Sequence, residues 1–530
     1  MRSLPSITIQ TNTLNNNIPV FRRVLESVKK QDYPHDKIEH IVFDKESTNG
    51  CDRLAKKYGC TVYRRSDPVG QEEVQTVGGF LIAKGELILI LEADNILIGS
   101  DWLLKMVKPF VKEKKIVAAF SAYNTFEKGM SITTRYAALF GTPDPTAYYL
   151  KKSEKIRMDQ KEYDKGIRIK ETGDYYIVRF TKETLPAIGD NGHMFLRRAI
   201  RQVLDKPEDY THTDAFARLL TKGYDTYGVV KNSIIHVARP DIAGFVKRRV
   251  QVKKFYYDGR RGRRAYLTYD PSSAKDRRNL MKYIFFSFTF IEPFYESMRG
   301  FIKIRDNAWF LHPVMCFFMV IAYGISEIEF YIKNLFRKIL EFLKQKNSSW
   351  KVQIISPYLE DREHILDFGC GDLLFSQVLL KQLPRLKITG VDIIDVSIHP
   401  ENMRFVLYEG KILPFADNSF DTVICIYTLH HCENAEKSLK ECLRVAKKRV
   451  LIIESIPRTA IEKRIMKFID WIVNAWKPTP IPLSYQFLTE KDWNRLSHKY
   501  QAKVIIRTIH HDLLLLVTVG KQSLIEISKR

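Results

Sequence analysis

The sequence predicts two α/β domains joined by a helical stretch that is both apolar and basic. Three observations point there. Runs of Leu, Ile and Val alternate with amphipathic helical patterns in the first part of the chain. The alternation restarts at "HILDFGCGD", residues 364–372. Between the two, "NAWFLHPVMCFFMVIAYGIS", residues 307–326, runs twenty positions without a charge from Asp306 to Glu327. Strands alternating with helices make a mostly parallel sheet with helices on its faces. The expected division is 1–246, 247–346 and 347–530.

In chain order, "SITIQT" alternates apolar residues with a strand's period of two. "VFRRVLESVKK" then sets Phe21, Val24, Leu25 and Val28 on one helical face. Strands "HIVFD" and "CTVYRR" come next with a short helix between them, and then the apolar run "ELILILEADN". The middle region opens with nine Lys/Arg and one acid from Lys247 to Arg264. After it come "YIFFSFTFIEPFY", the uncharged stretch and "EIEFYIKNLFRKILEFLKQK". In the last of these Ile328, Ile332, Leu335, Ile339 and Phe342 recur at helical spacing, with Lys333, Arg337 and Lys338 between them. "KQKNSSW" is expected to be a linker. Beyond it "KITGVDI", "FDTVICIY" and "RVLIIES" supply strands, and "KVIIRTIHHDLLLLVTVG" reads as a closing hairpin.

Composition narrows the partners. A formal charge of +24 calls for something anionic: nucleic acid, an acidic membrane surface or phosphorylated substrates. Seven scattered cysteines without metal-ligand spacing exclude a disulfide framework and fit a reducing compartment. The opening "MRSLPSITIQTN" has no apolar signal core, so a cytosolic setting is expected.

In the first domain the strand of "GELILILEADNIL" ends in Glu92 and Asp94. Ligands bind beyond the carboxyl ends of strands in open parallel sheets. Two carboxylates one residue apart suit Mg²⁺ or Mn²⁺, which in turn would bind a diphosphate. The alternative is a strand followed by a helix cap at Asp94 or Asn95. The pair belongs to an ordered set: "TIQTNTLNN", "IVFDKESTNG", "EADN", "GDNGHMFLRR" and "THTDAFARLLTKGYDTYG". Over about residues 4–255 this set resembles the family 2 glycosyltransferases, which have the GT-A fold. The resemblance implies a nucleotide-sugar donor, with Thr11 and Asp44 lining the nucleotide pocket and Glu92 and Asp94 at the metal position. It also implies Asn191 and Gly192 in an acceptor-side loop, Asp214 as catalytic base and His236 as a further metal ligand. An inverting transfer needs such a base for the acceptor hydroxyl and a cation for the departing diphosphate. Simpler readings are that Asp214 caps its helix and that His236 is a core residue. Two departures from the family pattern stand out: Glu92 where Asp is usual, and Gln75 where Arg is common.

In the second domain "ILDFGCGDLLFSQVLL" reads as strand, glycine turn and helix. Gly369 and Gly371 allow close approach of a ligand, and Asp392 ends the next strand, where a carboxylate grips ribose hydroxyls. An NAD-binding unit shows the same signs. Asp367 two positions before the first glycine, "EGKILPFADNSFDTVICIYTLHH" downstream and the closing hairpin favour another reading. Together they resemble a Rossmann-like class I methyltransferase dependent on S-adenosylmethionine (SAM), covering about 350–525, with Leu373 in place of a third glycine. The resemblance implies Asp367, Gly369 and Gly371 at the methionine portion of SAM, Asp392 at its ribose, and Lys411 and Ile412 flanking the adenine. His431, or its neighbour His430, would act as base toward a hydroxyl acceptor; the alternative is that they only line the pocket.

The expectation is a bifunctional enzyme that glycosylates a lipid-linked or glycan acceptor and methylates a related substrate. Both cofactors are cytosolic, so a single crossing at 307–326 would cut one domain off. His312 and Pro313 also disfavour an ideal span. The middle region is therefore expected to lie on the cytosolic leaflet without crossing it. A buried helix is the other reading of 307–326. Two further alternatives are a membrane-docked scaffold with one degenerate domain and an RNA methyltransferase using the basic stripe. No nucleic-acid partner is expected, because no recognised RNA-binding module accompanies the charge.

Overall fold

In the computed structural model the apolar runs of the first part become a ten-stranded mixed sheet. The described residues are 4–64, 72–189, 191–204, 211–258, 262–395, 403–475, 484–509 and 521–528. Two units separate, Met1–Tyr331 and Ile332–Arg530. Of the region marked out from the sequence at 247–346, the part up to Tyr331 packs with the first unit.

The strands of the first unit are β1 (Ile7–Thr13), β2 (Ile38–Asp44), β3 (Thr61–Arg64), β4 (Leu87–Leu91) and β5 (Asn95–Leu97). They continue with β6 (Ala118–Asn124), β7 (Ile167–Glu171), β8 (Tyr175–Arg179), β9 (Asn191–Leu196) and β10 (Thr226–His236). Their order is β3-β2-β1-β4-β9-β6-β10-β8-β7, with β5 paired to β10. β4 is buried along its whole length, as a strand covered on both faces must be. The helix Ile18–Lys29 buries the expected Phe21, Val24, Leu25 and Val28, and Asn17 caps it by accepting from the Val20 amide.

The sheet is less parallel than the sequence suggests. β3, β2, β1 and β4 run parallel, but β9 enters antiparallel between β4 and β6. The resemblance places "GDNGHMFLRR" in an acceptor-side loop; its Asn191–Leu196 is a central strand with His193 fully buried. Thr211, not Asp214, caps the helix His212–Thr221, its hydroxyl accepting from the Asp214 amide.

The middle region folds as helices Ala274–Thr289, Ile291–Lys303 and Leu311–Ile355. Trp309, Met315 and Met319 bury against Tyr136, Leu139 and Phe140 of the first unit. His312 is fully buried, stacked on Phe140 and bonded to the Tyr136 hydroxyl at 3.1 Å. Burial holds its imidazole well below the usual titration range. Asn307–Tyr358 is long and apolar enough to cross a membrane by length and composition, yet 44% of its most apolar window is buried in protein. The expected linker "KQKNSSW" is helical. No Gly or Pro interrupts it, and the helix stops only ahead of Pro357. Arg260 and Arg261 of the basic stretch lie outside the described residues.

The second unit holds β11 (His364–Phe368), β12 (Lys387–Asp392), β13 (Arg404–Leu407), β14 (Phe420–Ile426), β15 (Ala446–Ile456), β16 (Lys503–Thr508) and β17 (Lys521–Ser528). Its order is β13-β12-β11-β14-β15-β17-β16, parallel from β13 to β15 with β17 and β16 antiparallel. The chain reverses direction across the sheet beside β11, which is where doubly wound sheets bind ligands. β17, Lys521–Ser528, pairs antiparallel with β16; "LLLLVTV" of the expected hairpin lies outside the described residues.

Candidate functional site

The carboxyl ends of β1 and β4 open onto a cavity of about 1440 Å³ in the first unit. Asn12 and Thr13 of β1, then Glu92 and Asp94 past β4, line it. Asn12 Nδ2 donates to Glu92 Oε1 at 3.1 Å and fixes that carboxylate. The short β5 pairs antiparallel with β10, setting Asn95 opposite His236. That register brings Asp94 beside the histidine, His236 Nε2 lying 3.7 Å from Asp94 Oδ2. Two ligands of one ion at bond lengths near 2.1 Å stand about 3 Å or more apart, so this pair fits a divalent cation.

Of the other residues singled out from the sequence, Asn191 lines this cavity and Thr11, Asp44 and Gly192 do not. Thr11 is completely buried and does not line the cavity, donating to the Leu91 carbonyl at 2.7 Å. Asp44 is also buried, accepting from Thr13 Oγ1 at 2.8 Å and the Ser47 amide at 2.9 Å, with Arg64 Nε at 3.6 Å. It ties the ends of β1 and β2 together, and its neighbour Lys45 is the one that lines the cavity. Asn191 lines the wall, its carbonyl accepting from Lys155 Nζ at 3.1 Å. Gly192 does not face the cavity. It sits at φ +72°, and a Cβ there would lie 2.7 Å from Ile234 Cδ1, so tight packing requires the glycine.

Asp214 departs most from expectation. Its carboxylate is fully buried, with Arg264 Nε at 2.8 Å and the Ala265 and Tyr266 amides each at 3.2 Å. Its neighbours His212 and Thr213 and its partner Arg264 reach the cavity. Sequence reading missed Glu154 and Lys155. Glu154 lines the wall and accepts from the Gly189 amide at 2.5 Å. Burial pulls the Lys155 ammonium below its ordinary range, partly opposed by the Glu154 charge. Inside the charged run "KKSEKIR" nothing distinguishes these two from solvated residues.

In the second unit β11 delivers Asp367 to the start of the glycine turn. Gly369 has φ +72°, and a Cβ would lie 2.2 Å from Thr428 Cγ2. Gly371, at φ +52°, faces open space, as a turn that receives a ligand must. Asp392 closes the turn from β12, accepting from the Gly371 amide at 2.9 Å and the Ile393 amide at 2.7 Å. Leu373 occupies the left-handed region at φ +59° just before the helix Leu374–Gln382, a conformation that favours the glycine it replaces. Lys411 and Ile412 are exposed after β13.

Asp367 is buried, and its carboxylate accepts from Ser376 Oγ at 2.6 Å. Burial, opposed by that bond and reinforced by Asp392, raises its pKa from 3.8 to about 6. A carboxyl held above its unfolded value costs stability when ionised; the cost is full above about pH 6 and vanishes as pH falls below 3.8. Asp367→Asn is therefore expected to raise stability at pH 7 by about 2–3 kcal/mol. Denaturant melts of both proteins at pH 5 and pH 7 check this, the gain shrinking at the lower pH; an equal gain at both would refute it.

His430 is buried with Nδ1 2.8 Å from Glu454, and Asp470 lies 3.9 Å from its Nε2. Burial lowers its pKa, but Glu454 and Asp470 outweigh burial and push it up to about 10. A histidine charged at neutral pH is no base there. His431 Nδ1 stands 3.6 Å from Asp470.

Residues 11–183 match the family described as Glycosyl transferase family 2, and residues 366–453 match Methyltransferase domain. Among curated proteins, a demethylmenaquinone methyltransferase of Thermotoga maritima is 27% identical over 154 residues, 27% of this chain and 66% of that protein. One of Streptomyces griseus is 31% identical over 143 residues, 25% of this chain and 62% of its own length. The chain thus spans less than two thirds of either relative. A solved mannosyltransferase from Pyrobaculum calidifontis, in complex with GDP-Man and Mn²⁺, aligns with 61% of this chain and 88% of its own at 14% identity and a TM-score of 0.36. The YcgJ protein of Bacillus subtilis aligns with 35% of this chain and 99% of its own at 19% identity and a TM-score of 0.27. The two family matches identify an N-terminal family 2 glycosyltransferase domain and a C-terminal methyltransferase domain within one chain.

Proposed function

We propose that the chain is a bifunctional transferase. Its first unit moves a sugar from a nucleotide-sugar donor to a lipid-linked acceptor, and its second methylates a related substrate with SAM. The composition of the first unit's cavity carries the lipid reading. One and the same cavity is lined by Glu92, Asp94 and His236, by Arg239, Arg248 and Arg249, and by Leu280, Tyr283, Ile284 and Val320. Carboxylates suit a cation, guanidinium groups suit phosphates, and the apolar residues suit an acyl or isoprenoid chain.

Asp94 and His236, with Glu92 nearby, would hold Mg²⁺ or Mn²⁺; when bound, the ion offsets charge developing on the departing diphosphate. Asn12 keeps Glu92 aimed at the site. Asp214 holds Arg264 at the cavity edge, and a base role for it requires Arg264–Tyr266 to move off its carboxylate. In the second unit Asp367, Gly369, Gly371 and Asp392 would hold SAM, whose sulfonium supplies the methyl group.

The first unit works on the cytosolic leaflet, docked but not spanning. In its favour, Phe285, Phe288, Ile291, Phe294 and Ile302 are exposed on Ala274–Thr289 and Ile291–Lys303, Ile291 by 74%. Lys282, Arg299 and Lys303 on the same helices, with Arg305 just after the second, suit anionic headgroups.

Labelled nucleotide sugars offered with anionic liposomes and a lipid extract test both points. Label is expected to enter the organic phase with one donor. The double variant Phe285→Glu/Phe294→Glu should stop sedimenting with liposomes and lose transfer to lipid at least tenfold, while donor hydrolysis persists. Unchanged sedimentation would discard the docking face, and no donor yielding labelled lipid would discard the acceptor class.

A further inference from the structure

The second unit holds a convergence of side chains that the transfer reaction does not require. A tight 3-10 turn, Leu429–His431, comes after β14 and sets two consecutive imidazoles with their centroids 4.1 Å apart. Asp470 reaches them from the helix Ala460–Ala475. One nitrogen from each histidine and a carboxylate oxygen of Asp470 all lie within 4.8 Å of one another. No other group of three His, Cys, Asp or Glu converges this way among the described residues.

From this geometry we propose that His430, His431 and Asp470 form a site for a divalent transition-metal ion, Zn²⁺ foremost. Imidazole nitrogens select such an ion over Mg²⁺ or Ca²⁺, and two histidines with one carboxylate are a three-donor set that leaves a fourth position for water or substrate oxygen. The surroundings fit. Glu454, buried on β15, takes the Nδ1 side of His430 at 2.8 Å, which directs Nε2 toward Asp470. A carboxylate behind a histidine is the usual support for a ligand of this kind. Phe487 stacks on His430 at 4.5 Å and 14°, fixing the ring plane. Thr428, immediately before the Leu429–His431 turn, packs its side chain against Gly369 of the glycine turn. An open coordination position there suits an oxygen-bearing methyl acceptor.

The probe is Co²⁺, added to the full chain after chelator treatment and desalting. Asp94→Asn is included throughout, so that the first unit's carboxylate–histidine pair does not contribute. One ion per chain with the visible absorption of a nitrogen- and oxygen-ligated tetrahedral centre is expected, displaced by Zn²⁺. Asp470→Ala and His431→Ala should each weaken binding more than 100-fold, and Glu454→Gln by about 10- to 100-fold. Thermal melts and near-ultraviolet circular dichroism of each variant without metal establish that the fold is kept. Absence of bound Co²⁺, or binding unchanged in Asp470→Ala and His431→Ala, overturns the proposal and leaves a charged histidine between two carboxylates.

Discussion

Asp94→Ala is expected to remove metal-dependent nucleotide-sugar turnover almost entirely, by about a thousandfold, with little change in melting temperature. A cation that stabilises a departing diphosphate contributes several kcal/mol to the barrier, and each 1.36 kcal/mol is about tenfold in rate. The structural cost is small because the Asp94 side chain is 39% exposed. Initial rates across a Mg²⁺ and Mn²⁺ series measure the effect. His236→Ala should lose less, about tenfold, and shift the metal concentration giving half-maximal rate. Turnover unchanged in Asp94→Ala would remove the cation from the reading of this site.

Gly369→Ala is expected to be the most damaging single methyl in the second unit. The added Cβ would lie 2.2 Å from Thr428 Cγ2 and 2.5 Å from its Oγ1, far inside contact distance. The backbone stands at φ +72°, which costs a non-glycine residue about 1–2 kcal/mol before any clash. The turn must therefore shift, and SAM affinity by calorimetry should fall at least tenfold. Thr428→Ala in the same background removes the colliding atoms but not the left-handed strain, so it should restore part of the affinity. Full affinity in Gly369→Ala alone would contradict the close approach of turn and strand end.

Much of this is legible in the sequence, for identifiable reasons. Strand ends collect ligands, so Glu92, Asp94, Asp367 and Asp392 are readable as acids that close short apolar runs. Long-range register is not. Nothing in "THTDAFARLL" shows that Asp214 will be covered by Arg264, fifty positions later. β9 escapes sequence reading because the resemblance casts its segment as a loop, yet His193 pairs antiparallel on both sides, to Ile90 and Phe120, and Asn191 pairs to Leu91. The middle region is recognisable as apolar, but apolar residues facing lipid and facing protein have the same composition. Only the fold separates buried His312, Met315 and Met319 from exposed Phe285 and Phe294. The helix through "KQKNSSW" is hidden by the convention that polar runs join domains, although none of its residues ends a helix.

The Asn95–His236 register also sets an order of assembly. Asp94 meets His236 only when β10 has paired with β5, a contact made over a long sequence separation and so expected to close late. A nascent chain that has not yet supplied β10 has no such pair, whatever else it has folded. Under the proposed cation site, affinity at Asp94 should mark completion of the first unit. In refolding it should appear with the slowest phase of sheet formation and not with the early β1–β4 core.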